Sequence, residues 1–132
     1  MITLQQIQDA HKKILPYVNY TPLINSNFLS KNTTVKLKLE NFQITGSFKL
    51  RGAVNKLLSL SENDKNKGVI AVYTGNRGKG VAYASKVLGI KSTIYMSSMV
   101  PEYRKEAIEK LGAKVEIIGK NSDEADLYAK QI

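Results

Sequence analysis

Apolar residues in the first half of the chain follow helical spacing. Thr3 and Gln6 have the spacing of a capping box, and apolar positions then mark one helical face up to Pro16, with His11 on that face as a packing residue. Residues 34–39 alternate like a strand. A second helix is predicted to begin near Lys49, because apolar residues recur at Leu50, Ala53, Val54, Leu57 and Leu58.

A regular alternation of strands and helices is predicted after residue 68. Strands are expected at 69–73, 92–96 and 114–118, and helices at 77–88, 101–111 and from Asn121 or Ser122 to the last residue. The helix 77–88 should turn Val81, Ala84, Val87 and Leu88 inward. Residues 88–91 and 111–114 form the same Leu-Gly helix-to-strand corner. The pattern predicts an α/β fold with a small parallel sheet and helices on both faces.

The polar stretch from Ser61 to Gly68 is predicted to be a loop that marks a domain boundary. The chain would then divide into residues 1–67 and residues 68–132. At 132 residues it has the length of one modest domain, with ordinary contents of 42% apolar and 23% charged residues.

Composition excludes several kinds of site. The absence of cysteine rules out disulfides and thiolate metal sites, and a single histidine makes a histidine-rich metal site implausible. No apolar run approaches the roughly 20 residues of a membrane span. The N-terminus lacks the pattern of a secretory signal, so the cytoplasm is the expected location and no membrane partner is expected.

A net charge of +9 raises nucleic-acid binding as one hypothesis. The lysines are scattered along the chain, however, and no aromatic-rich RNA-binding pattern accompanies them. Most of this charge is interpreted as solvated surface, with part of it serving anionic ligands. A nucleic-acid partner is therefore not expected.

Lys49 is the first candidate for chemistry. It is predicted to lie in the first turn of its helix, after the turn residues Thr45, Gly46 and Ser47, at the end where acidic residues are normally favoured. For an isolated lysine, a solvated surface position is the ordinary interpretation. The alternative is an amine in a partly dry pocket that acts as a nucleophile or forms a Schiff base.

The second candidate is the glycine-rich segment 74–80, which follows the predicted strand 69–73. Open α/β sheets bind ligands at the carboxyl ends of their strands, and the start of a helix offers free N–H groups to an anion. The glycine spacing is neither a dinucleotide fingerprint nor a P-loop. Alone, such a segment is more often a structural turn.

The two segments together resemble the threonine/serine dehydratase and serine racemase family of pyridoxal-phosphate enzymes. Residues 47–53, Ser-Phe-Lys-Leu-Arg-Gly-Ala, with Lys38 and Glu40 upstream, are similar to the family's Schiff-base segment. Residues 74–77 are similar to the family's loop over the pyridoxal ring. Thr-Pro-Leu at 21–23 and Gly-Ala-Lys-Val at 112–115 also match family patterns.

This resemblance implies fold type II and the cofactor pyridoxal 5′-phosphate. It implies that Lys49 is the catalytic lysine that carries the cofactor, with further cofactor contacts from Phe48 beside the ring and Asn76 at the ring hydroxyl oxygen. It places the substrate carboxylate on Thr74, Gly75 and Arg77. The chain departs from the family where Tyr73 replaces a usual serine and Arg77 a usual histidine.

The implied activity is a lyase reaction, elimination of the β-hydroxyl followed by release of a 2-oxo acid and ammonia, on a β-hydroxy amino acid such as threonine, serine or 3-hydroxyaspartate. Family enzymes are longer, so residues 1–67 would open an incomplete large domain and residues 68–132 would form most of the small domain. We expect a homo-oligomer or a complementing C-terminal segment as partner. The alternative is an inactive truncated relative that binds a small anion or a partner chain.

Overall fold

The computed structural model describes residues 1–73 and 75–132, which form six α-helices and five β-strands. The helices are α1 (Leu4–Ile14), α2 (Lys49–Leu58), α3 (Glu62–Lys67), α4 (Asn76–Leu88), α5 (Glu102–Glu109) and α6 (Ser122–Ala129). The strands are β1 (Leu23–Asn25), β2 (Lys36–Lys38), β3 (Val69–Val72), β4 (Ser92–Met96) and β5 (Lys114–Ile117). Every helix in this described part is too short or too polar to span a bilayer.

Two sheets organise these strands. β1 and β2 form an antiparallel pair, with Leu23 opposite Lys38. β3, β4 and β5 form a parallel sheet in that order, with Ala71 opposite Ile94 and Ile94 opposite Val115. The predicted parallel sheet is confirmed.

Helices cover both faces of the parallel sheet. Because side chains alternate along a strand, Ala71 and Ile94 face α4 and α5, where they pack with Ala82 and Ile108. The alternate residues Val72 and Tyr95 pack against Ala125 of α6. The predicted α/β fold class is therefore confirmed.

The prediction of a loop at Ser61 to Gly68 is wrong, because residues 62–67 form α3. Ser61 caps this helix, with its Oγ accepting a hydrogen bond of 3.1 Å from the Asp64 N–H. Lys65 and Glu62 form an ion pair of 2.6 Å one turn apart. A helix held by its cap and its charges has no apolar face, so hydrophobic periodicity gives no signal for it.

Two predicted apolar faces also differ from the structure. On α1 only Ile14 is buried, while Leu4, Ile7 and His11 are exposed, so the expected packing role of His11 is wrong. On α4 Val87 is 39% exposed, against the prediction that it faces inward. The buried residues of α4 are mostly small, namely Gly78, Gly80, Ala82, Ala84 and Ser85.

These small residues let α4 approach α2 closely. A Cβ atom at Gly80 would lie 3.3 Å from the Leu50 nitrogen and 3.3 Å from the carbonyl carbon and oxygen of Lys49. Such distances are tighter than ordinary packing, so only glycine fits without displacement. Leu50 and Val54 of α2 share a buried cluster with Ala84 of α4. This cluster draws residues from both sides of the predicted 67/68 boundary, and the domain division itself stays a prediction.

A half-buried polar network also fixes the start of α2. Arg51 forms a forked ion pair with Glu40, with Nη2 2.8 Å from Oε1 and Nε 3.0 Å from Oε2. Thr21, which is fully buried, donates a hydrogen bond of 2.6 Å to the same carboxylate. The hydrogen bond from Arg51, helped by the one from Thr21, lowers the pKa of Glu40 against the opposing effect of burial.

Two glycine substitutions test the α2–α4 contact. Gly80→Ala should lower the free energy of unfolding by about 1–3 kcal/mol, because its Cβ must push against the backbone of Lys49 and Leu50. Gly52→Ala is the matched control on α2, since a Cβ there meets nothing within 4 Å. It should be neutral or stabilise the chain by up to about 1 kcal/mol. Urea unfolding followed by circular dichroism measures both, and equal effects would contradict the packing.

The Glu40 network should make stability depend on pH. Because the folded-state pKa of Glu40 lies below its usual value, its stabilisation is present above about pH 4.5 and is lost as pH falls through the lowered pKa. Glu40→Gln should therefore be less stable than the parent chain near pH 7, and the difference should shrink toward about pH 3. Urea midpoints across this range measure the gap.

Glu106→Gln provides the control for that series, because it removes one carboxylate from an exposed pair with Lys110 at 3.6 Å. The urea midpoint of Glu106→Gln should change with pH in the same way as that of the parent chain. A constant gap between Glu40→Gln and the parent at every pH would contradict the network's electrostatic role.

Candidate functional site

Both predicted motifs lie at the starts of helices that contact each other. Lys49 is the first residue of α2, as predicted. Gly75 caps α4 at the carboxyl end of β3, with a φ of +70° that favours glycine, and no side chain caps this helix. Since Gly80 of α4 touches the backbone of Lys49, one helix contact holds the two motifs beside each other.

Lys49 lines a cavity of about 450 Å³ together with two other cations, Lys56 and Arg77. Its remaining walls are glycine and apolar side chains, Gly52, Ala53, Leu57, Leu60, Val69, Ile70, Ala71 and Val81. No carboxylate belongs to these lining residues among the parts of the chain that are described. Three positive groups against an apolar wall form an environment that favours an anionic ligand.

The Lys49 side chain is exposed, which differs from the partly dry pocket assumed in the sequence argument. Its ammonium lies 4.6 Å from the centroid of the Phe48 ring, a cation–π distance. The Lys49 N–H donates a hydrogen bond of 3.2 Å to the Ser47 Oγ within the turn. The N-cap residue of α2 is Phe48 and no side chain caps the helix, so the predicted hydroxyl cap is wrong. Phe48 is 57% exposed and therefore free to contact a flat ligand.

Gly75 and Asn76 line a different cavity of about 410 Å³. Its other lining residues are Tyr73, Lys79, Tyr103, Arg104 and Ala107. The structure thus brings Arg77 to Lys49 but directs Asn76 into the neighbouring cavity. Thr74, the remaining predicted substrate contact, lies outside the described residues.

Tyr73, which replaces the family's usual serine, is 7% exposed and packs in the sheet core. A Cβ at Gly78 would lie 2.6 Å from the Tyr73 ring, so the absence of a side chain at Gly78 makes room for the tyrosine. The larger residue is accommodated by local packing, and its ring forms one wall of the 410 Å³ cavity.

Four further residues line these cavities and were not predicted from the sequence, namely Lys56, Lys79, Tyr103 and Arg104. The predicted sheet topology already indicates that Tyr103 and Arg104 lie near the glycine-rich segment. Parallel strands place their carboxyl ends at one sheet edge, so the segments that follow β3 and β4 are neighbours. Lys56 lies one helical turn after Gly52 and two turns after Lys49, and it lines the same cavity. Helical spacing therefore places Lys56 on the same face of α2 as Lys49.

Comparison with known proteins identifies relatives of the whole chain. A family model described as pyridoxal-phosphate dependent enzyme matches residues 14–132. The chain is 44% identical over 135 residues to the catabolic L-threonine dehydratase TdcB of Staphylococcus aureus, covering 100% of this chain and 39% of that relative. The chain therefore spans about two fifths of the length of such relatives.

Solved structures show the same fold. The serine racemase of Dictyostelium discoideum superposes with a TM-score of 0.88 at 35% identity, over 98% of this chain and 43% of that one. A pyridoxal 5′-phosphate-dependent aspartate racemase superposes with a TM-score of 0.86 at 30% identity, over 98% of this chain and 42% of that one. With the family model matching most of the chain, the protein belongs to the family of pyridoxal-phosphate dependent enzymes, in the fold of threonine dehydratases and serine racemases.

Proposed function

We propose that the chain is the cofactor-lysine portion of a pyridoxal-phosphate ammonia-lyase that acts on a β-hydroxy amino acid such as threonine, serine or 3-hydroxyaspartate. The observation that carries the proposal is the placement of Lys49 at the start of α2, in a cavity that also holds Arg77 from the glycine-rich segment. The similarity to L-threonine dehydratase supports a dehydratase reaction, and the similarity to an aspartate racemase supports including acidic substrates.

The residues of the Lys49 cavity fit pyridoxal phosphate chemically. Lys49 offers a primary amine for the aldehyde, and Lys56 and Arg77 add positive charge in a cavity with apolar walls. A volume of about 450 Å³ lies within the range of cofactor pockets. When bound, the cofactor supplies an electron sink for the negative charge that develops at the substrate α-carbon.

Lys49 has two roles in this proposal. It would hold the cofactor covalently, and once released from it the Nζ amine would take the substrate α-proton and pass it to the departing β-hydroxyl, which leaves as water. A side chain at the first position of a helix held by the Gly80 contact and by the Glu40 network presents this amine from a fixed backbone.

Arg77 is proposed to bind the substrate carboxylate, because its forked guanidinium can donate two parallel hydrogen bonds. Gly75 and Thr74 are proposed to complete this subsite with backbone groups. Phe48 is proposed to pack beside the cofactor ring. Asn76 lines the neighbouring cavity, so its proposed donation to the ring hydroxyl oxygen requires its side chain to turn toward Lys49 when the cofactor binds. The water lost in the elimination is taken up again when the product is hydrolysed, so the net reaction converts the hydroxy amino acid into a 2-oxo acid and ammonia.

Since the chain covers 39% of its dehydratase relative, complete activity is proposed for an assembly larger than this chain. The proposed partner is a second copy or a complementing C-terminal segment. Exposed apolar side chains on α1, among them Leu4 and Ile7, are consistent with a covered surface.

The test is covalent trapping of the cofactor on the 132-residue chain. Incubation with pyridoxal 5′-phosphate followed by borohydride should add one pyridoxyl group at Lys49, located by peptide mass spectrometry. Lys49→Ala should lose this adduct. Lys56→Ala is the matched control, because it removes the other lysine of the same cavity and should keep the adduct at position 49.

Labelling spread evenly over the surface lysines, or an undiminished single adduct on Lys49→Ala, would overturn the proposal. For an active assembly, coupled assays of ammonia and 2-oxo acid with threonine, serine and 3-hydroxyaspartate then identify the substrate.

A further inference from the structure

The cavity beside the Lys49 cavity has an unusual charge distribution. It lies at the carboxyl ends of β3 and β4, between the start of α4 and the start of α5. Lys79 and Arg104 supply two positive charges, and Tyr73 and Tyr103 supply two phenol groups. Among the described residues, no carboxylate lines it.

Arg104 has no acidic partner in the described part of the chain, although its helix contains several acids. Glu102 pairs with Lys105 at 3.1 Å, and Glu106 pairs with Lys110 at 3.6 Å. The Arg104 Nε instead donates a hydrogen bond of 3.1 Å to the Tyr103 hydroxyl. The contact with Tyr103, with a smaller effect of Tyr73, raises the pKa of Arg104. The guanidinium is held at the cavity while its Nη groups have no carboxylate to bind.

The two cavities meet at the first turn of α4. Gly75 and Asn76 line the Arg104 cavity, and the next residue, Arg77, lines the Lys49 cavity. The N–H groups of this turn have no side-chain cap. Positive charge therefore lies in both cavities lined by this turn, from Arg77 in one and from Lys79 and Arg104 in the other.

We propose that the cavity of Tyr73, Lys79, Tyr103 and Arg104 binds the side-chain carboxylate of a dicarboxylic amino acid. The inference rests on the proposed function, since it assigns the substrate class of the same site. It selects 3-hydroxyaspartate over threonine and serine, which have no second acid group. Planar recognition by the guanidinium and donation by the tyrosine hydroxyl favour a carboxylate in this position.

Binding is tested on Lys49→Ala, so that the result does not depend on cofactor attachment. Two-dimensional NMR of this chain, labelled with ¹⁵N, follows the amides of Gly75, Asn76 and Lys79 during titration with L-aspartate. Aspartate should shift these signals saturably, whereas asparagine, of nearly the same shape but neutral at its end, should bind about tenfold or more weakly.

Arg104→Gln in the same background should weaken aspartate binding by about tenfold or more, because it removes a charged hydrogen-bond donor. Lys110→Gln is the matched control. It makes the same change in net charge on the last turn of the same helix, where Lys110 already pairs with Glu106, and it should leave binding unchanged. The NMR spectrum of each variant also reports whether its fold is intact.

Equal binding of asparagine and aspartate, or undiminished binding by Arg104→Gln, would overturn the inference. Saturable binding of inorganic phosphate at the same amides without any response to aspartate would also overturn it. A cofactor adduct at Lys49 without aspartate binding contradicts this inference alone. Aspartate binding without a cofactor adduct contradicts the proposed function instead.

Discussion

The close contact of α4 with α2 at Gly80 is the constraint on which the site depends. A side chain at position 80 would press on the backbone of Lys49 and Leu50, so the helices reach this distance only with glycine there. The contact joins the helix that presents Lys49 to the helix that follows the glycine-rich segment. Close packing of small residues thus positions two segments that are distant in sequence.

Ion pairs within the chain determine which cations remain available at the two cavities. Glu40 is committed to Arg51 by a forked ion pair that Thr21 completes, so it stabilises the segment before α2 and does not neutralise the cavity. Two of the acids of α5 are likewise paired, Glu102 with Lys105 and Glu106 with Lys110 at the end of the helix. Arg77, Lys79 and Arg104 consequently face two adjoining cavities without carboxylate partners among the described residues. Part of the net charge of +9 is therefore concentrated at these cavities, where it favours anionic ligands.

Much of the fold follows from hydrophobic pattern, because β3, β4 and α2 bury apolar side chains at strand or helical spacing. The sequence could not show the helix α3, which depends on a cap and ion pairs without an apolar face. On α4 the inward position predicted for Val87 is wrong, since close packing buries glycine, alanine and serine and leaves Val87 exposed, whereas Ala84 is buried as predicted. Hydrophobicity alone does not identify small residues at a tight helix contact.

The candidate site was predictable to a similar extent. Residue patterns and family resemblance identified Lys49 and the glycine-rich segment, and the structure brings Lys49 and Arg77 to one cavity. The division into two cavities was not predicted, because the helix was expected to begin at Arg77. It begins at Asn76, so these neighbours point in directions that differ by about 100° around the helix. Arg104 was missed because its place in the site depends on a third helix start, which only the sheet topology brings near.

The direct measurement of the central contact is an NMR distance between its two helices. Gly80 and Leu50 are thirty residues apart in sequence, yet the packing leaves so little space that a Cβ at Gly80 would lie 3.3 Å from the Leu50 nitrogen. A nuclear Overhauser cross-peak between the Gly80 α-protons and the Leu50 amide proton is therefore expected in the folded chain. Its absence from a well-dispersed, fully assigned spectrum would contradict the helix contact and the joined site built on it.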